Sequence, residues 1–148
     1  MSARGSGEKP SIVVLHSINF EESWTKQTYL DIERKFGEEG FTVKAIPLQI
    51  PGIRTMEGFQ EKRTMILERV PVPPTLVVCI GDPSWLVARP LFDKEWKDIP
   101  SIICYARDYM YPKEEYLIDL DKNVLDTLVP ITDVVKGYNA TFIKYPVY

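Results

Sequence analysis

Little in this chain is suited to holding a metal ion. It has one histidine and two cysteines, and Cys79 and Cys104 have no neighbours at ligand spacing. Both cysteines lie inside apolar runs and read as small core hydrophobes. The alternative is a disulfide between neighbouring strands, which demands close and well-aligned Cβ atoms. Basic excess is also lacking: the net charge is -3. That argues against a nucleic-acid binder, which needs a basic stripe to neutralise phosphates. No apolar run approaches the length that spans a bilayer. The opening Met1-Ser2-Ala3-Arg4-Gly5-Ser6-Gly7 has no apolar stretch of the leader type, and residues 1–10 read as a flexible tail.

Glycine is missing where phosphate-binding folds need it. The first strand-to-helix turn reads His16-Ser17-Ile18-Asn19-Phe20. A P-loop requires glycines followed by Lys and Ser or Thr at this turn, and a dinucleotide fingerprint requires glycine for backbone approach to pyrophosphate. A flavin phosphate cradle needs small hydroxyl residues, which Phe20, Glu21 and Glu22 do not supply. A phospho-receiver needs acids where His16 and Ser17 stand, although Asp82 mimics its second element. No cofactor is therefore expected.

What the chain does contain is a recurring phrase. Ser11-Ile12-Val13-Val14-Leu15 runs into His16-Ser17. Thr75-Leu76-Val77-Val78-Cys79-Ile80 runs into Gly81-Asp82. Ser101-Ile102-Ile103-Cys104-Tyr105 runs into Ala106-Arg107-Asp108. Continuous runs of β-branched and aliphatic residues mark strands buried on both faces of a parallel sheet. Phe41 to Ile46 alternates in part, which places it near a sheet edge. Tyr29, Ile32 and Phe36 form an apolar helical stripe, opened by Ser23 as a cap and closed at Gly37 or Gly40. Glu57 to Arg69 forms a second helix, burying Phe59, Met65, Ile66 and Val70 and stopped by Pro71, Pro73 and Pro74. A third helix opens with Asp82 as N-cap and Pro83 at the first helical position, and Pro90 limits it. Asp93 to Asp98 is a charged connector. Asp121 to Val129 forms a short helix, and Ala140 to Tyr145 a last strand.

Residues 11–106 thus read as βαβαβαβ, with right-handed crossovers. The expected fold is a doubly wound α/β/α lobe over residues 11–148, with strand order 2-1-3-4 and a fifth strand. At 148 residues such a lobe buries roughly 70% of its unfolded surface. In open parallel sheets, ligands bind outside the carboxyl ends of the strands. Five candidates cluster there: Ser17, Trp24, Asp82, Trp85 and Arg107. Trp24 and Trp85 follow two strand tips at equivalent positions, where they serve either the core or an aromatic wall of a cleft. If they form a wall, at least one indole is open to solvent. Arg107 suits a carboxylate or phosphate, or else pairs locally with Asp108. Asp82 as a cap is worth about 1 kcal/mol without any chemistry. Ser17, His16 and Asp82 have the residue types of a hydrolase triad, but adjacent Ser and His place the imidazole poorly and the nucleophile elbow is absent.

The segment Ile12-Val13-Val14-Leu15-His16-Ser17, followed by Ser23-Trp24-Thr25, resembles the opening of the ABC-transporter substrate-binding-protein-like sensor domains of bacterial histidine kinases. The resemblance continues at Leu76-Val77-Val78-Cys79-Ile80-Gly81-Asp82, at Trp96 to Tyr105 and at Gly137-Tyr138-Asn139-Ala140-Thr141. It departs at Pro83-Ser84-Trp85, where small residues are usual. It implies two flavodoxin-like lobes with ligand between them, this chain supplying the first. It further implies a non-catalytic lobe outside the cytoplasmic membrane. Such a lobe binds a small solute or a solute-binding protein, works with a second lobe or as a homodimer, and inserts no segment into the membrane. Ser17, Trp24, Asp82 and Arg107 would face the ligand. The competing expectations are a cytoplasmic flavodoxin-like or receiver-like regulatory domain, and a small α/β hydrolase.

Overall fold

A computed structural model describes residues 10–17, 23–50, 53–106 and 136–144. The elements run β1 (Ser11–His16), α1 (Ser23–Glu38), β2 (Thr42–Pro47), α2 (Met56–Arg69), β3 (Leu76–Ile80), α3 (Asp82–Asp93), β4 (Ser101–Ala106) and β5 (Ala140–Lys144). The strands form one sheet in the order β2-β1-β3-β4-β5, and every pairing is parallel. This is a flavodoxin-like α/β fold. The order 2-1-3-4 expected from the apolar runs is present, and the fifth strand lies beside β4. The helix expected at Asp121 to Val129 lies outside the described residues.

The two sheet faces explain the unbroken apolar runs. Ile12, Val14, Val78 and Ile80 face one side, where Tyr29, Ile32 and Phe36 of α1 cover them. Val13, Leu15, Val77, Cys79 and Ile103 face the other, beneath α2 and α3. The central strands therefore need apolar residues at every position. β2 has one neighbour only, and its exposure alternates over Thr42, Val43 and Lys44, as an edge strand's should. Lys44 reaches from that edge to donate to the Arg69 carbonyl at the end of α2, where a cation also complements the helix dipole.

Helix ends follow local chemistry. At the end of α1, Gly40 has φ +92°, a region that side chains with a Cβ rarely adopt. Phe41 N–H donates to Phe36 C=O at 3.0 Å and Gly40 N–H to Gly37 C=O at 3.1 Å. The rings of Phe36 and Phe41 meet edge to face at 5.6 Å. These three contacts complete a Schellman motif with its apolar clasp. α2 is capped by Thr55, whose hydroxyl accepts from Gly58 N–H at 3.0 Å. A Cβ on Gly58 would come 2.5 Å from Ile53 Cγ2, so the close entry of the chain into this helix requires glycine.

α3 differs from expectation at both ends. It does not stop at Pro90 but continues to Asp93. Proline withholds one N–H and crowds the preceding turn. The carbonyl left without its helical donor is that of Leu86. Leu86, Val87, Ala88, Leu91 and Phe92 on both sides of Pro90 are buried, so core packing carries the helix past the proline. The next carbonyl, Val87, accepts from Arg63 Nη1 of α2 at 3.0 Å. Nor does the helix start on an Asp82 cap: the N-cap is Gly81, Asp82 is the first helical residue and Pro83 the second. Past the helix, Trp96 within the charged connector is buried at 1% exposure and anchors that turn on the core.

Candidate functional site

The carboxyl ends of β1 and β3 meet at the point where strand order reverses, the usual crevice of such sheets. Backbone bonds continue past the strands here. Ser17 N–H donates to Ile80 C=O at 3.0 Å, Leu48 N–H to His16 C=O at 2.8 Å, Ile50 N–H to Ser17 C=O at 2.8 Å and Gly81 N–H to Cys104 C=O at 2.9 Å. The three tips after β1, β2 and β3 are thereby tied into one rim.

Ser17 and α3 form the tightest part of that rim. Ser17 Oγ donates to the Gly81 carbonyl at 2.9 Å and accepts from Ser84 N–H at 3.0 Å. Ser84 Oγ in turn lies 2.7 Å from the Gly81 carbonyl and 3.3 Å from the Leu15 carbonyl, so its one proton goes mainly to Gly81. Gly81 has φ +88°, and a Cβ there would sit 2.6 Å from Ser17 Oγ. Backbone conformation and space both demand glycine. This explains the displaced helix start: the chain must turn through positive φ directly after β3, and the capping hydroxyl comes from β1, across the sheet.

The arrangement limits what this helix terminus can do. Helix N-termini attract anions through free N–H groups. Here Pro83 has no N–H, the N–H of Ser84 is taken by Ser17, and a carboxylate residue, Asp82, occupies the first helical position. Phosphate recognition at this turn is disfavoured on all three counts. The same contacts bear on hydrolysis. Ser17 is 8% exposed, and its proton points to a carbonyl rather than to an imidazole. His16, the neighbouring residue, is 1% exposed as the last residue of β1.

The five sequence candidates divide accordingly. Ser17 and Asp82 come together at the β1/β3 tips. Trp24 stands at the second position of α1, and Arg107 lies outside the described residues. Trp85 is fully buried. Its indole N–H donates to Ser101 Oγ at 2.9 Å, its ring stacks on Phe92 at 5.7 Å, and Tyr138 meets it edge-on at 5.3 Å. Trp85 therefore belongs to the core beneath α3, and its indole offers no wall to a ligand. Gly81 and Ser84, which organise the rim, were not singled out from the sequence. The available signal was Gly-Asp-Pro-Ser after an apolar run, a strand-to-helix turn with a hydroxyl placed for backbone bonding.

The cysteines are free. Register places Cys79 opposite Ile103 and Cys104 opposite Ile80, so the two thiols project to opposite faces of the sheet and cannot pair. Burial pushes both thiols above their ordinary pKa, which leaves little thiolate for reaction. Among the described residues no three His, Cys, Asp or Glu side chains gather as metal ligands, and no helix is long and apolar enough to cross a membrane. In comparisons with known proteins, the sequence matches no family and no curated protein.

Proposed function

We propose that this chain is the ligand-sensing lobe of a two-lobed, solute-binding sensor of the bacterial histidine-kinase type. It binds a small solute, or a solute-binding protein, along the carboxyl-end rim of β1, β3 and β4. Closure against a second lobe outside the cytoplasmic membrane is the signal it passes on. The observation that carries the reading is the rim itself. It stands at the β1/β3 switch point, where open α/β sheets bind ligands, yet its hydroxyl and helix terminus are spent on holding the tips together. A rim of that kind favours binding over nucleophilic or phosphoryl chemistry. The sensor assignment rests on the resemblance of the strand-tip segments.

Binding by one lobe should be weak, because a two-lobed cleft divides the buried ligand surface between its halves. The test is an amide-resolved NMR titration of this chain with a library of small solutes. Weak, saturable shifts at Ser17 and at Gly81 to Ser84 are expected. A nanomolar complex of the lone chain, or no response at these amides to any solute, would overturn the reading. Ester turnover lost in Ser17→Ala would favour a hydrolase instead, and acetyl-phosphate labelling of Asp82 a receiver.

A further inference from the structure

A cavity of about 360 Å3 lies at the opposite end of the sheet, between the turn that leads into β4 and the turn that leads into β5. Ser101, the first residue of β4, lines it. Its volume stands at the lower end of small-molecule sites.

The lining has an unspent donor. Ser101 is 3% exposed, and its Oγ accepts the indole N–H of Trp85. An indole N–H can only donate, so the hydroxyl's own proton must go elsewhere. Among the described residues no acceptor takes it. Lys97 adds an ammonium to the same wall. Acceptors are present too, in the carboxylates of Asp93 and Asp98. Asp93 already accepts the Tyr138 hydroxyl, which uses one of its several lone-pair sites. Phe92, 5% exposed, and the ring of Tyr138 give the cavity an apolar component. Among the described lining residues two carboxylates stand against one ammonium, which is unwelcoming to a simple anion.

We propose that this cavity binds a small zwitterion of the α-amino-acid type. The carboxylate of the ligand takes the Ser101 and Lys97 donors, its ammonium takes Asp93 and Asp98, and an apolar side chain lies on Phe92. Neither group alone satisfies both sets of wall residues. This site is separate from the carboxyl-end rim and does not depend on the reading given to that rim.

The probes are L-leucine and L-phenylalanine, with phenethylamine and 3-phenylpropionate as the halves of the zwitterion, titrated by amide-resolved NMR. Shifts are expected at residues 93–101 and 137–139, with each half binding at least tenfold more weakly than L-phenylalanine. Asp98→Asn should weaken L-phenylalanine at least tenfold while the remaining spectrum is unchanged. That variant suits the position, since Asp98 has φ +67° and Asn tolerates such backbone as Asp does. Ser101→Ala is a poorer first choice, because it strands the buried Trp85 N–H. Absence of shifts at these amides, equal binding of phenethylamine, or unchanged binding in Asp98→Asn would each overturn the proposal. Shifts confined to Ser17 and Gly81 would overturn it while supporting the rim reading.

Discussion

Ser17 and Gly81 should be energetically coupled, and a double-mutant cycle can measure by how much. Ser17→Ala removes one acceptor from Ser84 N–H and one donor from the Gly81 carbonyl. Neither group is left bare. Ser84 N–H still lies 3.2 Å from the Gly81 carbonyl, and that carbonyl keeps the Ser84 hydroxyl at 2.7 Å. The cost should therefore be that of a lost cap, about 1 kcal/mol, rather than two orphaned buried groups at ~1–3 kcal/mol each. Gly81→Ala carries two penalties. At φ +88° and ψ +127° the residue lies outside the left-handed helical well, a conformation that costs a non-glycine residue on the order of 1–3 kcal/mol. The new methyl would also meet Ser17 Oγ at 2.6 Å and Ser17 Cβ at 3.0 Å, an overpacking worth about 1–3 kcal/mol. In the double variant the 2.6 Å clash is gone, although the strained φ and the 3.0 Å approach remain. The double variant should cost less than the sum of the singles by about 1 kcal/mol, well outside the ~0.3–0.5 kcal/mol of independent sites. Urea unfolding of the four proteins at a common slope gives the numbers. Strict additivity would refute the direct Ser17–Gly81 contact and, with it, the capping of α3 from β1.

Three other outcomes follow from the described contacts. Gly40→Ala should destabilise by about 1–2 kcal/mol from backbone conformation alone, since a Cβ there meets nothing within 4 Å; an unchanged urea midpoint would remove the Schellman assignment. The Tyr29 phenol is pushed up to about 12, first by burial and then by the Glu33 carboxylate that accepts its hydroxyl. The folded state thus holds this proton more tightly than the unfolded chain, so its contribution is full below pH ~10 and fades as pH rises toward 12. Absorbance titration should find a late-titrating phenol that is absent in Tyr29→Phe and shifts only partly downward in Glu33→Gln. Both cysteines should resist a thiol reagent in the folded protein and react together in denaturant. Rapid labelling of Cys79 under native conditions would contradict its place in the core.

The sheet was legible because its strands carry an unambiguous signal. Ile12 to Leu15 and Leu76 to Ile80 are apolar at every position, which only a strand covered on both faces requires. The alternation at Thr42, Val43 and Lys44 marks β2 as an edge for the converse reason. Helix α1 was equally plain, since Tyr29, Ile32 and Phe36 keep one face apolar against a polar remainder. Helix α3 was not. Ser84 to Ala88 are all buried, because the helix packs against both the sheet and the aromatic cluster of the following turns. Periodicity cannot assign a face to a helix buried nearly all round, and so it could not say that Trp85 points into the core. The Asp82 cap was misplaced for a different reason. Ser, Thr and Asp caps are recognised from adjacent sequence, whereas the group that caps α3 is 67 residues away from Ser84. Pro90 reads as a stop because its missing N–H is visible in sequence, whereas the burial of Leu86 to Ala88 before it and of Leu91 and Phe92 after it is not.

The strand order also dictates when this molecule can finish folding. Of the described strands β1 is made before the others, yet its second neighbour, β3, pairs with it across a separation of 64 residues. Closing a loop of that length costs only logarithmically more than a short one, but no local contact rewards the closure until α2 and β3 have both formed. Such long-range parallel pairing slows folding. Until it is made, Val13 and Leu15 lack the cover of α2 and α3. During synthesis β1 is thus sealed only after β3 and α3 have followed it, and the hydroxyl of Ser17 meets its partners only once Gly81 and Ser84 have left the ribosome.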